Sequence, residues 1–199
     1  MLENITRFKQ SSIKIRDCVV IYIDPWDVPD REKADIILIT HTHFDHLSPQ
    51  DITLLRKPDT LVCVPTGAHE VEGKVKILRP GDFAEHRGVR IDAIPAYNIG
   101  KSFHPKGNLW LGYVITIEGN RYYHAGDTDL IPEMKALKDI DVAFLPVGGT
   151  YTMNAQEAAQ AANLIMPRLA IPIHYGDVVG SRADAEEFKR LCKCKAEII

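Results

Sequence analysis

Apolar residues in this chain gather into short runs separated by polar punctuation. Runs rich in Val, Ile, Leu and aromatic residues fall at 18–23, 36–40, 60–64, 75–78, 89–94, 111–117, 121–124, 142–147 and 170–173. Each is bounded by Gly, Pro, Asp or Asn, which predicts strands rather than helices. Glu118-Gly119-Asn120, between two of these runs, reads as a hairpin turn. Helical signals are fewer. Ser48 ahead of Pro49 predicts an N-cap with Pro at the first helical position, opening a helix to about Leu55. A short helix is expected over 132–137. Asn154-Ala155-Gln156-Glu157 resembles a capping box heading an Ala-rich helix to Met166. A last helix, capped by Ser181, is expected over 181–191. Many strands interleaved with a few helices predict an α/β layered fold. One core serving residues 1–199 as a single domain is the simplest arrangement.

Composition narrows the classes. A chain of 199 residues suits one sizeable domain better than two. Its 45% hydrophobic and 26% charged residues are those of an ordinary soluble protein. A net charge of −3 supplies no general attraction to phosphate backbones, so nucleic acid is a poor candidate partner. Residues 1–9 lack the apolar segment of a secretory signal. The longest apolar runs, such as 142–147, fall well short of a membrane span. The expectation is a cytoplasmic protein with no membrane partner; its oligomeric state is not legible. Cys18, Cys63, Cys192 and Cys194 read as free thiols, since Cys192-x-Cys194 has no second Cys/His pair at zinc-finger spacing.

The histidines change the picture. His41-Thr42-His43-Phe44-Asp45-His46 directly follows the apolar run Ile36-Ile37-Leu38-Ile39, so three imidazoles and a carboxylate sit where a buried strand enters a loop. Strand ends of this kind commonly carry sites in α/β folds. Desolvating four such groups without a partner is expensive, and a divalent ion satisfies them together. The alternation His41-x-His43 keeps two rings on one side while the chain is extended, and Asp45 and His46 then need a turn. That geometry suits two metals better than one. His104, Asp127 and His174 are further ligand-type residues at strand-to-loop junctions.

These residues resemble the metallo-β-lactamase fold superfamily, whose H-x-H-x-D-H signature is matched by His41 to His46. The likeness continues in order through His104, Asp127 and His174, and Asp24 in Asp24-Pro25-Trp26 fits an early structural aspartate. It spans about residues 10 to 180. Within the superfamily, Asp24-Pro25-Trp26 and the compact length are similar to a small branch of metal-dependent hydrolases near the ascorbate-6-phosphate lactonases. The resemblance implies a four-layer αββα sandwich with metals at one edge between the sheets. It implies that His41, His43 and His104 hold a first metal, that Asp45, His46 and His174 hold a second, and that Asp127 bridges them. No long insertion matches the RNA-gripping arm of tRNA-processing relatives. No attached flavodoxin-like domain is present, as in the di-iron oxygen reductases.

The expected activity is hydrolysis of an ester, lactone or phosphodiester in a small molecule, by a hydroxide bridging two divalent ions. Zinc is the first expectation, and manganese, nickel or iron also suit N/O ligands. Asp45 is the candidate to hold the attacking oxygen and accept its proton. Asp24 is expected to orient a ligand. His124 is placed at the pocket or behind it, and Tyr97 and Asn98 near it. Lys101 and Lys106 flank His104 and would neutralise an anionic substrate. Gly148-Gly149-Thr150-Tyr151 either presents a backbone amide to substrate or simply turns. His69 and His86 are expected at the surface. The alternatives are a non-catalytic metal-binding or sensing protein on the same scaffold, and a nucleic-acid phosphodiesterase.

Overall fold

The computed structural model describes residues 2–71 and 73–199. Strands β1 (Ile5–Arg7), β2 (Ile13–Arg16), β3 (Val20–Ile23), β4 (Ile36–Leu38), β5 (Leu61–Pro65) and β6 (Val75–Leu78) form one mixed sheet in chain order. Strands β7 (Phe83–His86), β8 (Val89–Pro95), β9 (Leu111–Ile117), β10 (Asn120–His124), β11 (Val142–Pro146) and β12 (Leu169–Ile173) form the second. In the first sheet β1, β2 and β3 are antiparallel and β3 to β6 parallel. The second is antiparallel from β7 to β10 and parallel from β10 to β12.

Alternation along the strands assigns the layers. Ile21, Ile23, Ile36 and Leu38 face Ile115, Phe144, Ile171 and Ile173 in the core between the sheets. Their neighbours Tyr22, Ile37, Val62 and Val64 point the other way, onto Ile52 and Leu55 of α1 (Pro49–Leu55). On the far side Ala143, Leu145 and Ala170 meet the alanines of α2 (Ala155–Ile165) and Phe188 of α3 (Arg182–Leu191). A side-chain period of two thus buries both faces of each sheet, and the result is the αββα sandwich.

Local signals act as expected at most termini. Ser48 Oγ accepts from the Asp51 amide at the start of α1. Asn154 and Glu157 form a reciprocal capping box at 2.9 Å in each direction. Glu118 and Gly119 both have positive φ, 48° and 80°, as a tight two-residue hairpin turn requires. Differences are instructive. The segment at 132–137 is a 3-10 helix, Pro132–Ala136, rather than an α-helix. Strands β1, β2 and β7 lie outside the apolar runs. In β2 the buried Lys14 interrupts the apolar pattern, and in β7 only Ala84 is buried.

Candidate metal centre

The carboxyl ends of β3, β4, β8, β10 and β12 deliver the ligand-type residues to one edge of the sandwich. Asp24 follows β3 with φ 47°, and its amide donates to Leu38 O at 2.9 Å. Beyond β4, Thr40 donates to Asp24 through its amide (2.7 Å) and its hydroxyl (2.6 Å). That hydroxyl has one proton, so at 3.0 Å it accepts from His41 Nδ1, leaving His41 Nε2 to face inward. The chain then turns on His46 N→His43 O (3.0 Å) and Leu47 N→His43 O (2.9 Å). His46 Nδ1 donates to Asp24 Oδ2 at 2.7 Å, so Asp24 holds the His46 ring directly and the His41 ring through Thr40.

The other elements close the cluster. His104 Nδ1 lies 3.1 Å from both Asn98 Oδ1 and Tyr151 O, so it donates to oxygen and its Nε2 points inward. Asn98 is itself held by Asp129 and Tyr151 O. Trp110 packs against His41, His43 and His104, with ring centroids 5.0, 4.9 and 5.5 Å away. Asp127 stands in the middle: Oδ2 lies 3.3 Å from His104 Nε2 and 2.9 Å from His174 Nε2, and Oδ1 lies 3.4 Å from His46 Nε2. Three overlapping triads have ligand atoms within 4.8 Å of one another: His41–His43–His104, His41–His46–Asp127 and Asp45–His46–His174.

The electrostatics are those of imidazoles and carboxylates crowded together out of water. Burial and the neighbouring His46 push His41 well below its ordinary value. Burial and His104 lower His43. Burial also opposes charge on His46, but Asp127 and Asp24 outweigh it and hold this ring well above its usual range. Burial pulls Asp127 upward, yet His174 and His46 outweigh it and keep it well below the carboxylate range. For Asp45, His46 likewise overcomes burial and keeps the carboxyl low. His46 Nε2, His104 Nε2 and Asp127 Oδ1 are buried without a hydrogen-bond partner. Each such orphan costs on the order of 1–3 kcal/mol. Imidazole nitrogens and carboxylate oxygens converging on one point are the donor set of a divalent ion, so the residues fit the metal that the sequence implies.

The beta-lactamase superfamily domain model matches residues 4–174. The chain belongs to that superfamily. It is 37% identical over 179 residues to the UPF0173 metal-dependent hydrolase of Thermococcus onnurineus, covering 86% of this chain and 80% of that protein. A relative of the same name in Methanopyrus kandleri is 35% identical over 193 residues, covering 87% and 84%. Among solved structures, one described as a metal-dependent hydrolase of Parabacteroides distasonis superposes with a TM-score of 0.88 at 40% identity, over 98% of this chain and 91% of that one. Igni18, a metallo hydrolase of Ignicoccus hospitalis, gives 0.79 at 26% identity over 98% and 94%.

Other expected site residues fall outside the cavity that this superfamily cluster lines. His124 is buried and neutral, its pKa lowered by burial. Its Nε2 donates to Ser11 O (2.9 Å) and its Nδ1 accepts from Gly126 N (3.2 Å), so it braces the turn that carries Asp127. Tyr97 points away, donating to Glu133 at 2.9 Å. Lys101 donates to Asp129 Oδ1 and Thr152 O, each at 2.7 Å. Lys106 pairs with Glu133 at 3.0 Å. Neither lysine is among the residues that line the cavity. His69 is exposed, whereas His86 is half-buried.

Sequence reasoning also missed residues. Gln10, fully buried with φ 51°, places its amide 3.1 Å from His174 Nε2 and accepts the His174 amide on its carbonyl at 2.9 Å. Phe103, Trp110 and Val178 went unmarked as well. Gln10 carries no local signal because it meets His174 only across the fold, and Phe103, Trp110 and Val178 are apolar loop residues whose role shows only once the loops converge. Among the described residues, no helix is long and apolar enough to cross a membrane.

Proposed function

We propose that this protein hydrolyses an ester, lactone or phosphodiester bond in a small molecule, using two divalent ions. His41, His43 and His104 would hold one, Asp45, His46 and His174 the other, and Asp127 both. The observation that carries this reading is the position of Asp127, which lies 3.3 Å from His104 Nε2 of the first set and 2.9 and 3.4 Å from His174 and His46 Nε2 of the second. Zinc suits the donors best, and manganese, nickel or iron are compatible. Two such ions acidify a water and polarise the oxygen of the bond under attack.

The chain's own residues do the rest. Asp24 and Thr40 lock the rings of His41 and His46, and Asn98 locks that of His104, so donor lone pairs are preorganised. Asp45 is ionised and lines the cavity. It would take the proton as the water oxygen adds to an acyl carbon. The carbon–oxygen bond then breaks, and the proton passes to the departing oxygen, giving acid and alcohol. His43, Asp45, Asp127 and His174 open onto the cavity, which favours turnover over a closed structural site.

The test joins metal analysis with a hydrolysis panel. Zinc-supplemented protein should carry about two ions per chain and cleave some member of an ester, lactone and phosphodiester panel, with His43→Ala inactive. Well under one ion per chain would overturn the reading.

A further inference from the structure

The cavity above the metal-type cluster has walls of a different character from its floor. Its volume is about 220 Å³. Ligand-type residues make the floor, and Phe44, Phe103, Tyr151 and Val178 make the rim. Three of these are strongly exposed for apolar residues: Phe44 at 67%, Phe103 at 45% and Val178 at 41%. They come from separate loops, so their convergence is tertiary. The aromatic ones are held in place. Phe44 stands edge-on to Trp26 (centroids 5.8 Å, 83°), and Phe103 edge-on to Tyr151 (4.7 Å, 85°). Grouped exposed apolar side chains around a concave site mark a binding surface.

Charge completes the picture. No lysine or arginine lines the cavity among the described residues. Lys101 and Lys106 are committed to Asp129 and Glu133. Lys9 lies over Trp26 at 5.9 Å but is paired with Asp27. A charged arm on the substrate, beyond the reach of the metal-type floor, would therefore meet an apolar rim that offers it no lysine or arginine. The volume is below the roughly 300–1,000 Å³ of pockets for drug-sized ligands. It holds a reacting group and one short arm.

We infer that the substrate carries an uncharged apolar arm, of about phenyl size, which packs between Phe44 and Phe103 beside the bond that is cut. Phe44, Phe103 and Val178 then determine specificity, and substrates with an anionic arm are rejected. This rests on the metal-dependent reading above and narrows it.

Calorimetric titration of zinc-loaded protein tests the two separately. Acetohydroxamate probes the metal centre alone, 4-phenylbutyrohydroxamate adds the apolar arm, and a succinic monohydroxamate adds an anionic one. The phenyl arm should tighten Kd about tenfold or more, and the anionic arm should give no gain. In Phe44→Ala and in Phe103→Ala the ratio of the acetohydroxamate and phenylbutyrohydroxamate Kd values should shrink at least about threefold, a comparison internal to each variant. Equal Kd values for those two in the native protein, or tightest binding of the anionic probe, would overturn the inference and leave the metal reading standing. No binding of acetohydroxamate would overturn the metal reading, and this inference with it. Sedimentation as a dimer that Phe44→Ala disperses would assign the rim to a second copy of the chain and also overturn it.

Discussion

Asp24 is fully buried and uses both carboxylate oxygens on groups of its own surroundings: the Thr40 amide, the Thr40 hydroxyl and His46 Nδ1. It touches the cluster only through those groups, so it is a positioning residue. Asp24→Asn keeps the size but loses acceptor capacity toward His46. Metal affinity should fall by about 10- to 100-fold, read by competition with a chromophoric chelator. Unchanged affinity would show that His46 needs no such support. The run His41 to His46 stood out in the sequence because imidazoles and a carboxylate crowded at a buried strand end have few uses besides ligation, whereas Asp24 was singled out only through the family resemblance. The surroundings of Lys101 and Lys106 were not legible for a matching reason. A flexible charged side chain finds its partner across the fold, here Asp129 and Glu133, and nothing in its neighbours along the chain announces that choice.

At the scale of elements, two contacts carry predictions. Gly148 follows β11 at the point where the chain crosses the turn after β12. A Cβ there would meet His174 O at 2.6 Å and His174 Nδ1 at 3.0 Å. His174 already has φ 60°, so it has little room to yield. Gly148→Ala should cost about 1–3 kcal/mol in thermal unfolding and weaken metal binding together; loss of neither would mean the turn relaxes freely. The second contact ties β2 to the loop after β3, where the buried Lys14 pairs with Asp30 and Glu32. Burial pulls Asp30 up, but Lys14 outweighs it and brings its carboxyl from 3.8 to about 2. A depressed carboxyl stabilises the fold above its unfolded pKa, and that contribution is lost as pH falls from about 4 through about 2. Acid titration of unfolding should lose on the order of 1 kcal/mol there, after discounting for solvent screening, and Asp30→Asn should flatten that part of the profile. The same pairing explains why β2 escaped notice. A lysine on the outer face of the sheet, beside Tyr22, breaks the apolar run until the loop that neutralises it is in place.

Across the whole molecule, the ligand-type residues join the two sheets. His41, His43, Asp45 and His46 lie beyond β4 of the first sheet, whereas Asp127 and His174 lie beyond β10 and β12 of the second. A metal bound there ties the halves of the sandwich together and stabilises the folded state by mass action. At a hundredfold excess over Kd this amounts to about 2.7 kcal/mol, or roughly 5–10 °C in Tm for a chain of this size. Calorimetry with and without chelator should show that difference, with one transition in both cases; identical melting curves would contradict a metal shared between the sheets. The sequence by itself determined most strands, the caps of the longer helices, and a run of metal-ligand-type residues at the end of β4. These depend on covalent spacing: a period of two, a capping residue, imidazoles two and three positions apart. Only the tertiary structure decided the rest. It brought His104, Asp127 and His174 to that run, set Gln10 and Trp110 against it, turned Lys101 and Lys106 away, and ringed the opening with Phe44, Phe103 and Val178. Those outcomes depend on which distant segments pack together, and the interactions that select them act only once both sheets have closed on their common core.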